Sequence, residues 1–288
     1  MIKKILVSID YSETSTNALS LAIALSRLHK AEIKLIYAAD FFECISVSRN
    51  GLMINFSKEA FISSETQRLW RLANDVMDSQ TDRYSVECRI GSMSSTIVEA
   101  ARDFESDLIV TGTQSTTGIK AYFMGSEACH IAKTASCPVL TVPNHYKWTG
   151  FKEILFPVRP VVNALAKYER AMKIIHDKDT HLTVLGLFNE DEPQHTEELV
   201  HLLSNLENRL LQDGIKSKAV FTTTDSGAET VLNKSRQLAM DLIVITADSE
   251  KTTGPYVQQI VDHAKVPVLS FSPQVCAIKQ VEPDCINT

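Results

Sequence analysis

No long apolar segment and no block of basic residues occurs in this sequence of 288 residues. The apolar runs, such as DLIV, CPVLTV and LTVLGLF, fall far below the roughly 18 residues that a membrane-spanning helix needs. The opening MIKKILVSID lacks the apolar centre of a signal peptide, which predicts a cytoplasmic protein. Because the formal net charge is -6 and no Lys/Arg cluster stands out, we expect neither nucleic acid nor a membrane as a partner.

Patterns that mark common enzymes and metal sites are missing as well. No G-x-x-x-x-G-K-S/T phosphate loop is present, and no G-x-G-x-x-G follows the first apolar segment. The six cysteines form no C-x-x-C pair, and the eight histidines lie in no zinc-ligand or catalytic-triad pattern. We therefore predict no catalytic residue and no metal ligand, so the protein is not expected to be an enzyme. A slow ATPase activity is left open.

The sequence does contain an internal duplication. Its 44% hydrophobic and 22% charged residues are typical of a folded globular protein, and its length suits two domains. Four segments of the first half recur in the same order in the second half: KKILVSID as KEILFPVR, AEIKLIYA as THLTVLGL, SDLIVTG as MDLIVIT, and CPVLTVP as VPVLSFS. The chain is therefore predicted to hold two copies of one domain.

Each half alternates short apolar segments with amphipathic ones, which is typical of a parallel sheet covered by helices on both faces. The first helix is predicted near residues 14–29, and the capping-box patterns Thr96-x-x-Glu99 and Ser226-x-x-Glu229 predict two further helix starts. The strands predicted for the first half lie near residues 3–9, 33–38, 85–90, 107–111 and 138–142.

A polar segment that ends in glycine, NHYKWTG, separates the two halves at residues 144–150. The segment from Gln274 onward has no clear periodicity, and chain ends commonly lack fixed structure. We therefore expect a first domain over residues 1–146, a second domain over residues 151–273, and a loose tail over residues 274–288.

The candidate binding site lies at the carboxyl ends of the predicted strands, where open parallel sheets bind ligands. Asp10 follows the first strand and either accepts hydrogen bonds from a ligand or caps the next helix. Gly112 lets the backbone turn sharply or approach a ligand closely. Gly125 and Ser126 open a predicted helix whose free N–H groups favour an anion such as phosphate. The glycines alone are equally explained by a long turn.

Four motifs of the first half together resemble those of one known family: ILVSIDYSETS, DLIVTG, the pair GS before the last predicted helix, and CPVLTVP. On these motifs the sequence resembles the universal stress protein family, over nearly the whole chain, as a tandem pair. The resemblance implies an α/β fold with two tandem doubly wound parallel five-stranded sheets of the adenine nucleotide alpha-hydrolase-like type. It also implies that the two domains pack as a pseudo-dimer, with PVLTVP and PVLSFS antiparallel.

Members of this family that bind ATP carry Gly, two residues, Gly, nine residues, Gly, and then Ser or Thr. Here Ser115 stands where the second glycine is expected, and the other three positions match. The resemblance implies that the acid after the first strand contacts adenosine, the backbone after the second strand lines the base, and the glycine loop and helix start hold the phosphates. It implies ATP or AMP, with or without Mg²⁺, as the cofactor. The implied site residues are Asp10, Ala38, Thr111, Gly112, Ser115, Gly125, Ser126 and Glu127.

The second half departs from this pattern. In the second half, Arg159 stands at the position of Asp10, Thr246 at that of Gly112, and Pro255 at that of Ser126. Proline lacks the N–H that would bind a phosphate, so we expect no ATP in the second domain. Arg159 is expected either to pair with an acid or to bind a different anion.

The resemblance implies a stress-response protein that binds an adenine nucleotide in its N-terminal domain and is regulatory rather than catalytic. The alternative is a universal stress protein that binds no nucleotide and acts as a protein-interaction scaffold, which Ser115 and the altered second half favour. The expected partners are an adenine nucleotide and an unidentified protein, and a homodimer is left open.

Overall fold

The computed structural model describes residues 1–40, 45–47, 54–78, 80–113, 124–159, 164–175, 179–188, 194–224, 226–247 and 255–276. The elements of the first half are β1 (Lys4–Ser8), α1 (Glu13–His29), β2 (Glu32–Ala39), β3 (Ile45–Val47), β4 (Ile54–Phe56), α2 (Lys58–Val76), β5 (Tyr84–Ile90), α3 (Met93–Asp103), β6 (Leu108–Gly112), α4 (Met124–Thr134) and β7 (Val139–Val142). Those of the second half are β8 (Glu153–Val158), α5 (Ala164–Ile175), β9 (His181–Phe188), α6 (Gln194–Gln212), β10 (Lys216–Thr223), α7 (Gly227–Gln237), β11 (Leu242–Thr246), α8 (Tyr256–His263), β12 (Val268–Phe271) and α9 (Pro273–Cys276).

Ten of these strands form one sheet, in the order β10-β9-β8-β11-β12-β7-β6-β1-β2-β5. All neighbouring pairs are parallel except β7 and β12. Each half thus supplies a five-stranded parallel unit with the same internal order, which confirms the predicted fold. All five strands predicted for the first half are present. The separate antiparallel pair of β3 and β4 was not predicted.

The two halves meet through the antiparallel pair of β7 and β12, as the resemblance implied. Thr141 Oγ1 donates a hydrogen bond to the carbonyl oxygen of Val268 across this junction, over 3.2 Å. Ser272 Oγ donates a buried hydrogen bond of 2.8 Å to the carbonyl oxygen of Ala135. Because each strand covers the edge of the other, neither half leaves this edge open to pair with another chain.

The central strands of the sheet are buried on both faces, which explains why they read as continuous apolar runs. One core joins the sheet to α1, α2, α5 and α6, and the other joins it to α3, α4, α7 and α8. Neighbouring residues of one strand alternate between these cores, as Ile109 and Val110 do in β6. Among the described residues, no helix is long and apolar enough to cross a membrane.

The segment that links the halves carries no helix or strand, but its aromatic residues are anchored. Tyr146 and Trp148 pack against the core beneath α1 and α5. The rings of Trp148 and Phe151 meet edge to face, with centroids 4.6 Å apart. Near the other end of the chain, Val275 is buried in the same core. Residues 277–288 of the predicted tail lie outside the described residues.

The duplication extends to individual hydrogen bonds. Asp107 Oδ2 accepts hydrogen bonds of 2.6 and 3.0 Å from two consecutive backbone amides at the start of β1. Asp241 Oδ2 does the same at the start of β8, with distances of 3.1 and 2.9 Å. Just before each aspartate the backbone turns through a left-handed residue, Glu105 in one half and Ala239 in the other. These shared details indicate that both halves follow one structural plan.

One of the predicted helix starts is wrong. The N-cap of α3 is Ser92, so Thr96 lies inside the helix rather than at its first position. The buried Thr96 hydroxyl packs where a Cβ on Gly91 would stand, and this close fit places the helix start next to the end of β5. In the second half Ser226 is the N-cap of α7, as predicted, although its side chain makes no capping hydrogen bond.

We expect Asp107→Ala and Asp241→Ala each to lower the free energy of unfolding by about 1 kcal/mol, because two backbone amides lose their acceptor. Asp→Asn at the same positions keeps one acceptor oxygen and should lose less. Urea denaturation followed by circular dichroism measures both pairs. Equal losses for the Ala and Asn variants would contradict this role of the carboxylates.

Candidate functional site

A cleft opens at the carboxyl ends of β1 and β6. Chain order reverses there, because β1 pairs with β2 on one side and with β6 on the other. Such a reversal is the usual ligand site of an open parallel sheet. Its lining residues are Ser8, Ile9, Asp10, Ser12, Ser15, Ile36, Ala38, Met93, Ile97, Thr111 and Gly112. The cleft therefore joins hydroxyl and carboxylate groups from β1, β6 and the start of α1 to apolar groups from β2 and α3.

The polar side of the cleft is a chain of hydroxyl groups. Ser8 Oγ donates a hydrogen bond of 2.6 Å to Thr111 Oγ1, which joins the ends of β1 and β6. Ser12 Oγ accepts a hydrogen bond of 3.1 Å from the amide of Ser15 and so caps α1. The sequence placed Thr111 at the candidate site but did not place Ser8, Ser12 or Ser15 there, although all three lie within the SIDYSETS motif.

Asp10 belongs to the same hydrogen-bonded turn. Its Oδ1 atom accepts hydrogen bonds from the Ser12 amide over 2.9 Å and from Ser12 Oγ over 2.5 Å. Asp10 therefore does not cap α1 itself, but holds Ser12, which is the N-cap residue. Among the described residues, the Oδ2 atom makes no hydrogen bond, and Asp10 lines the cleft. One oxygen thus fixes the turn, and the other is the atom that a ligand would meet.

Tyr11 anchors this turn from the opposite face of the sheet. Its backbone is left-handed, with φ at 61°, and its ring packs against Tyr37 with centroids 5.2 Å apart. The guanidinium carbon of Arg68 lies 3.6 Å from the centre of the Tyr11 ring. Burial and the nearby Glu65 carboxylate raise the pKa of Tyr11 above its usual range, so the ring stays neutral. Sequence reasoning did not identify this anchor.

Gly112 is explained by packing inside the protein. A Cβ atom at this position would lie 2.7 Å from Thr14 Cγ2 and 3.1 Å from the Thr14 carbonyl carbon. The sequence predicted a close backbone approach at Gly112, and the structure assigns that approach to the first turn of α1. Thr111 and Ala38 are both buried and line the cleft beside it.

Glu127 forms a contact that the sequence did not predict. Its Oε2 atom accepts a hydrogen bond of 2.9 Å from the amide of Ser94, in the first turn of α3. A carboxylate there satisfies a free amide and complements the helix dipole. Gly125 and Ser126 lie within α4, and the structure describes only their backbone; Ser115 lies outside the described residues.

The equivalent region of the second half lacks the two hydroxyl groups that join β1 and β6 in the first half. In the repeat, Pro157 takes the place of Ser8, and Ile245 takes the place of Thr111. The Arg159 guanidinium carbon lies 4.0 Å from the centre of the Tyr256 ring. Tyr256 is buried, and its ring lies 3.4 Å from where a Cβ on Gly227 would stand. An aromatic ring of the chain itself therefore occupies the region that is open in the first half.

No group of three or more His, Cys, Asp or Glu side chains that could hold a metal ion occurs in the described part of the chain. Of the described side chains that line the first cleft, Asp10 is the one ionisable group. The arrangement can therefore accept hydrogen bonds from hydroxyl or amino groups at Asp10, exchange hydrogen bonds at the serine and threonine hydroxyls, and pack an apolar ring against β2 and α3.

Comparison with known proteins agrees with this fold. Residues 1–143 match the model of the universal stress protein family. The chain is 30% identical over 140 residues to universal stress protein MJ0531 of Methanocaldococcus jannaschii, covering 49% of this chain and 81% of that protein. It is 28% identical over 154 residues to universal stress protein Sll1388 of Synechocystis, covering 48% of this chain and 96% of that protein.

A solved structure matches both halves. It is a universal stress protein from Archaeoglobus fulgidus, which aligns with a TM-score of 0.71 and 15% identity, over 94% of this chain and 96% of that one. At this identity the likeness concerns the fold. The two-half architecture therefore recurs in a second protein of similar size.

We expect Gly112→Ala to lower the free energy of unfolding by about 1–3 kcal/mol, because the added methyl group overlaps Thr14. Thr14→Ser removes the nearest atom, Cγ2, and in the double variant it should recover part of that loss. Thermal and urea unfolding of both single variants and of the double variant provide the comparison. Independent, additive effects would rule out the proposed steric contact.

We expect Glu127→Ala to destabilise the protein by about 1 kcal/mol, because the first turn of α3 loses a cap. Exchange of the Ser94 amide hydrogen should accelerate, and Glu127→Gln should largely preserve its protection. Glu99→Ala, an exposed substitution within α3, is the matched control and should leave that amide unchanged. If exchange at Ser94 is the same in the Glu127→Ala variant and in the unsubstituted protein, the cap is not significant.

Proposed function

This chain belongs to the universal stress protein family, and from that premise we propose that its first half binds an adenine nucleotide, ATP or AMP, as a regulatory ligand. The observation that carries the proposal is the cleft between β1 and β6, which combines a hydroxyl-lined side with an apolar side at the reversal of strand order. A nucleotide has matching parts, because its base is flat and apolar on its faces and its sugar carries hydroxyl groups.

The base would lie on the apolar side of the cleft. Ala38 presents a small side chain at the end of β2, and Met93 and Ile97 of α3 face the same space. A larger side chain than alanine would narrow this space, as Leu187 does at the equivalent position of the second half. This difference supports the assignment of Ala38 to the base-binding region.

The ribose would lie next to Asp10. Because Ser12 holds Oδ1, the carboxylate is fixed before any ligand arrives, and Oδ2 is oriented without further loss of side-chain freedom. A carboxylate oxygen accepts hydrogen bonds from sugar hydroxyl groups, as acids do in other doubly wound nucleotide sites. Asp10 would thus hold the N-cap residue Ser12 and contact the ligand at the same time.

The phosphates would lie towards the start of α4. Thr111 and Gly112 end β6, and the first amides of α4, including those of Gly125, Ser126 and Glu127, would provide donors and a favourable dipole. Ser115 is proposed to contribute from the intervening loop. The Glu127 carboxylate is bound to the amide of Ser94, which supports a backbone role for Glu127 at the phosphates. Any Mg²⁺ would arrive with the phosphates.

A regulatory role is supported by the composition of the cleft. Its one ionisable side chain among the described residues, Asp10, is already bound through Oδ1 to Ser12. This leaves the described part of the site without a paired acid and base for proton transfer. We propose that the nucleotide stabilises the first domain, residues 1–146, and alters its surface for a protein partner. The second domain, residues 151–273, would be the structural partner.

A second candidate function is a protein-interaction scaffold that binds no nucleotide. The observation that favours it is that three predicted site residues have partners within the protein: Asp10 binds Ser12, Gly112 makes room for α1, and Glu127 caps α3. Native mass spectrometry of freshly purified protein separates the two candidates. Retained adenine nucleotide favours the first candidate, and consistently empty protein favours the second.

We expect ATP or AMP, with magnesium present, to raise the temperature of unfolding. At 100 times the dissociation constant, a bound ligand adds about 2.7 kcal/mol to the free energy of unfolding. Differential scanning fluorimetry with a series of nucleotide concentrations measures this shift, with GTP and CTP as controls for base selectivity. An unchanged unfolding temperature at millimolar ATP and AMP would contradict the proposal.

Asp10→Asn should weaken nucleotide binding about fivefold, because its one oxygen keeps the hydrogen bonds to Ser12 while the charged acceptor Oδ2 becomes an NH2 group that cannot accept a hydrogen bond from a sugar hydroxyl. Arg159→Ala, at the matching position of the second half, is the control and should leave nucleotide affinity unchanged. Isothermal titration calorimetry compares the two variants with the unsubstituted protein. Equal losses in both variants would indicate that the first cleft is not the binding site.

A further inference from the structure

The two ends of the ten-stranded sheet differ sharply in exposure. The strand β5 forms one end, and none of its seven residues is exposed. The strand β10 forms the other end, and six of its eight residues are exposed. Within the residues that the structure describes, β10 pairs with β9 alone. An edge strand of this length, with no proline, presents a row of N–H and C=O groups that can pair with another strand.

An apolar groove lies beside this edge, on the face covered by α6. Its exposed large apolar members are Val200 of α6, which is 51% exposed, and Phe221 of β10, which is 54% exposed. The Phe221 ring lies across Gly186, where a Cβ would stand 2.8 Å away, and packs against Phe188 with centroids 5.8 Å apart. The ring is therefore held in a fixed position with about half of its surface facing water. Together, β10 and this groove form what we call the β10 edge.

We propose that the β10 edge is a self-association surface, at which a second copy of this chain pairs its own β10 in antiparallel fashion about a two-fold axis through Val220. In this register the Val220 residues of the two copies lie opposite each other. On the groove side, Ala219 of each copy lies opposite Phe221 of the other copy. Each Phe221 ring thereby covers the small side chain of the other copy. The outer pairs place Lys218 opposite Thr222, and Ser217 opposite Thr223.

The charges of β10 exclude two of the alternative registers. Like charges directly opposite each other in an antiparallel pair are destabilising. An axis through Lys218 would set the Lys218 side chains of the two copies opposite each other. An axis through Ser217 would set Lys216 of each copy opposite Lys218 of the other copy. An axis through Ala219 or through Val220 opposes no like charges and keeps seven residues of each strand paired. Of these two, only the Val220 axis sets the Phe221 ring opposite an apolar side chain, Ala219, because the Ala219 axis sets it opposite Ser217. The lysines that protect an edge against unspecific pairing are thus compatible with one specific pairing.

The resulting assembly is closed. A two-fold axis uses the same surface on both copies, so no β10 edge is left over for a third chain. The far ends of the two sheets are both formed by β5, whose seven side chains are less exposed than those of β10, and α2 packs on the face of the sheet beside it. The proposal depends only on the second half and is independent of nucleotide binding in the first half.

Sedimentation equilibrium of the full chain tests the proposal first. We expect the average mass to rise from that of one chain to that of two with increasing concentration, and no further. Hydrogen exchange at low and high concentration should show added protection confined to β10. A single-chain mass at every concentration up to the solubility limit would overturn the proposal, as would a dimer in which β10 exchange is unchanged.

A pair of charge variants tests the register. The double variant Ala219→Lys/Phe221→Lys sets lysines of the two copies opposite each other across the axis. The double variant Ala219→Glu/Phe221→Glu sets glutamates opposite each other in the same way. Both variants lose the same aromatic ring, so they are matched controls for each other, and circular dichroism checks that each one folds. We expect each variant alone to have the mass of one chain, and an equimolar mixture to form a heterodimer. Dimers of either variant alone, or a mixture that stays monomeric, would contradict the register.

Discussion

The hydrogen bonds that Asp10 Oδ1 accepts from Ser12 fix the connection between β1 and α1, and the first cleft depends on that connection. Ser12 in turn caps α1, and the first turn of α1 packs closely on Gly112 at the end of β6. Tyr11 holds the same turn from the opposite face of the sheet. The two strands that flank the reversal of chain order are thereby held at a fixed separation, which is the condition for a preformed ligand site.

Comparison of the two halves distinguishes the residues that the fold needs from those that belong to the cleft. Asp107 and Asp241 make the same hydrogen bonds in both halves, which indicates that the framework needs them. The site positions have diverged. Arg159, which stacks on Tyr256, stands where the first half has Asp10. A binding site is kept only where its ligand is used, whereas a sheet must be completed in both copies. The antiparallel junction of β7 and β12 then joins a half with an open cleft to a half with a filled one.

Much of the fold was predictable because it depends on periodic and local signals. Apolar runs of four to eight residues located the strands, and the repeated segments revealed two units, whereas their antiparallel junction was implied by the family resemblance. The site was harder, because its residues act through distant partners. Nothing near Gly112 in the sequence indicates Thr14, and nothing near Glu127 indicates Ser94. The capping box at Thr96 failed for the same reason, since packing against the end of β5 decides where α3 begins.

A crystal structure of the full chain grown with ATP or AMP and magnesium tests the central claim most directly. The account predicts density for the base beside Ala38 and Met93, for the ribose at Asp10 and for phosphate at the start of α4. It predicts no nucleotide density at Arg159 and Tyr256. A structure in which the cleft between β1 and β6 is closed by its own side chains, with the nucleotide bound elsewhere or not at all, would contradict the account.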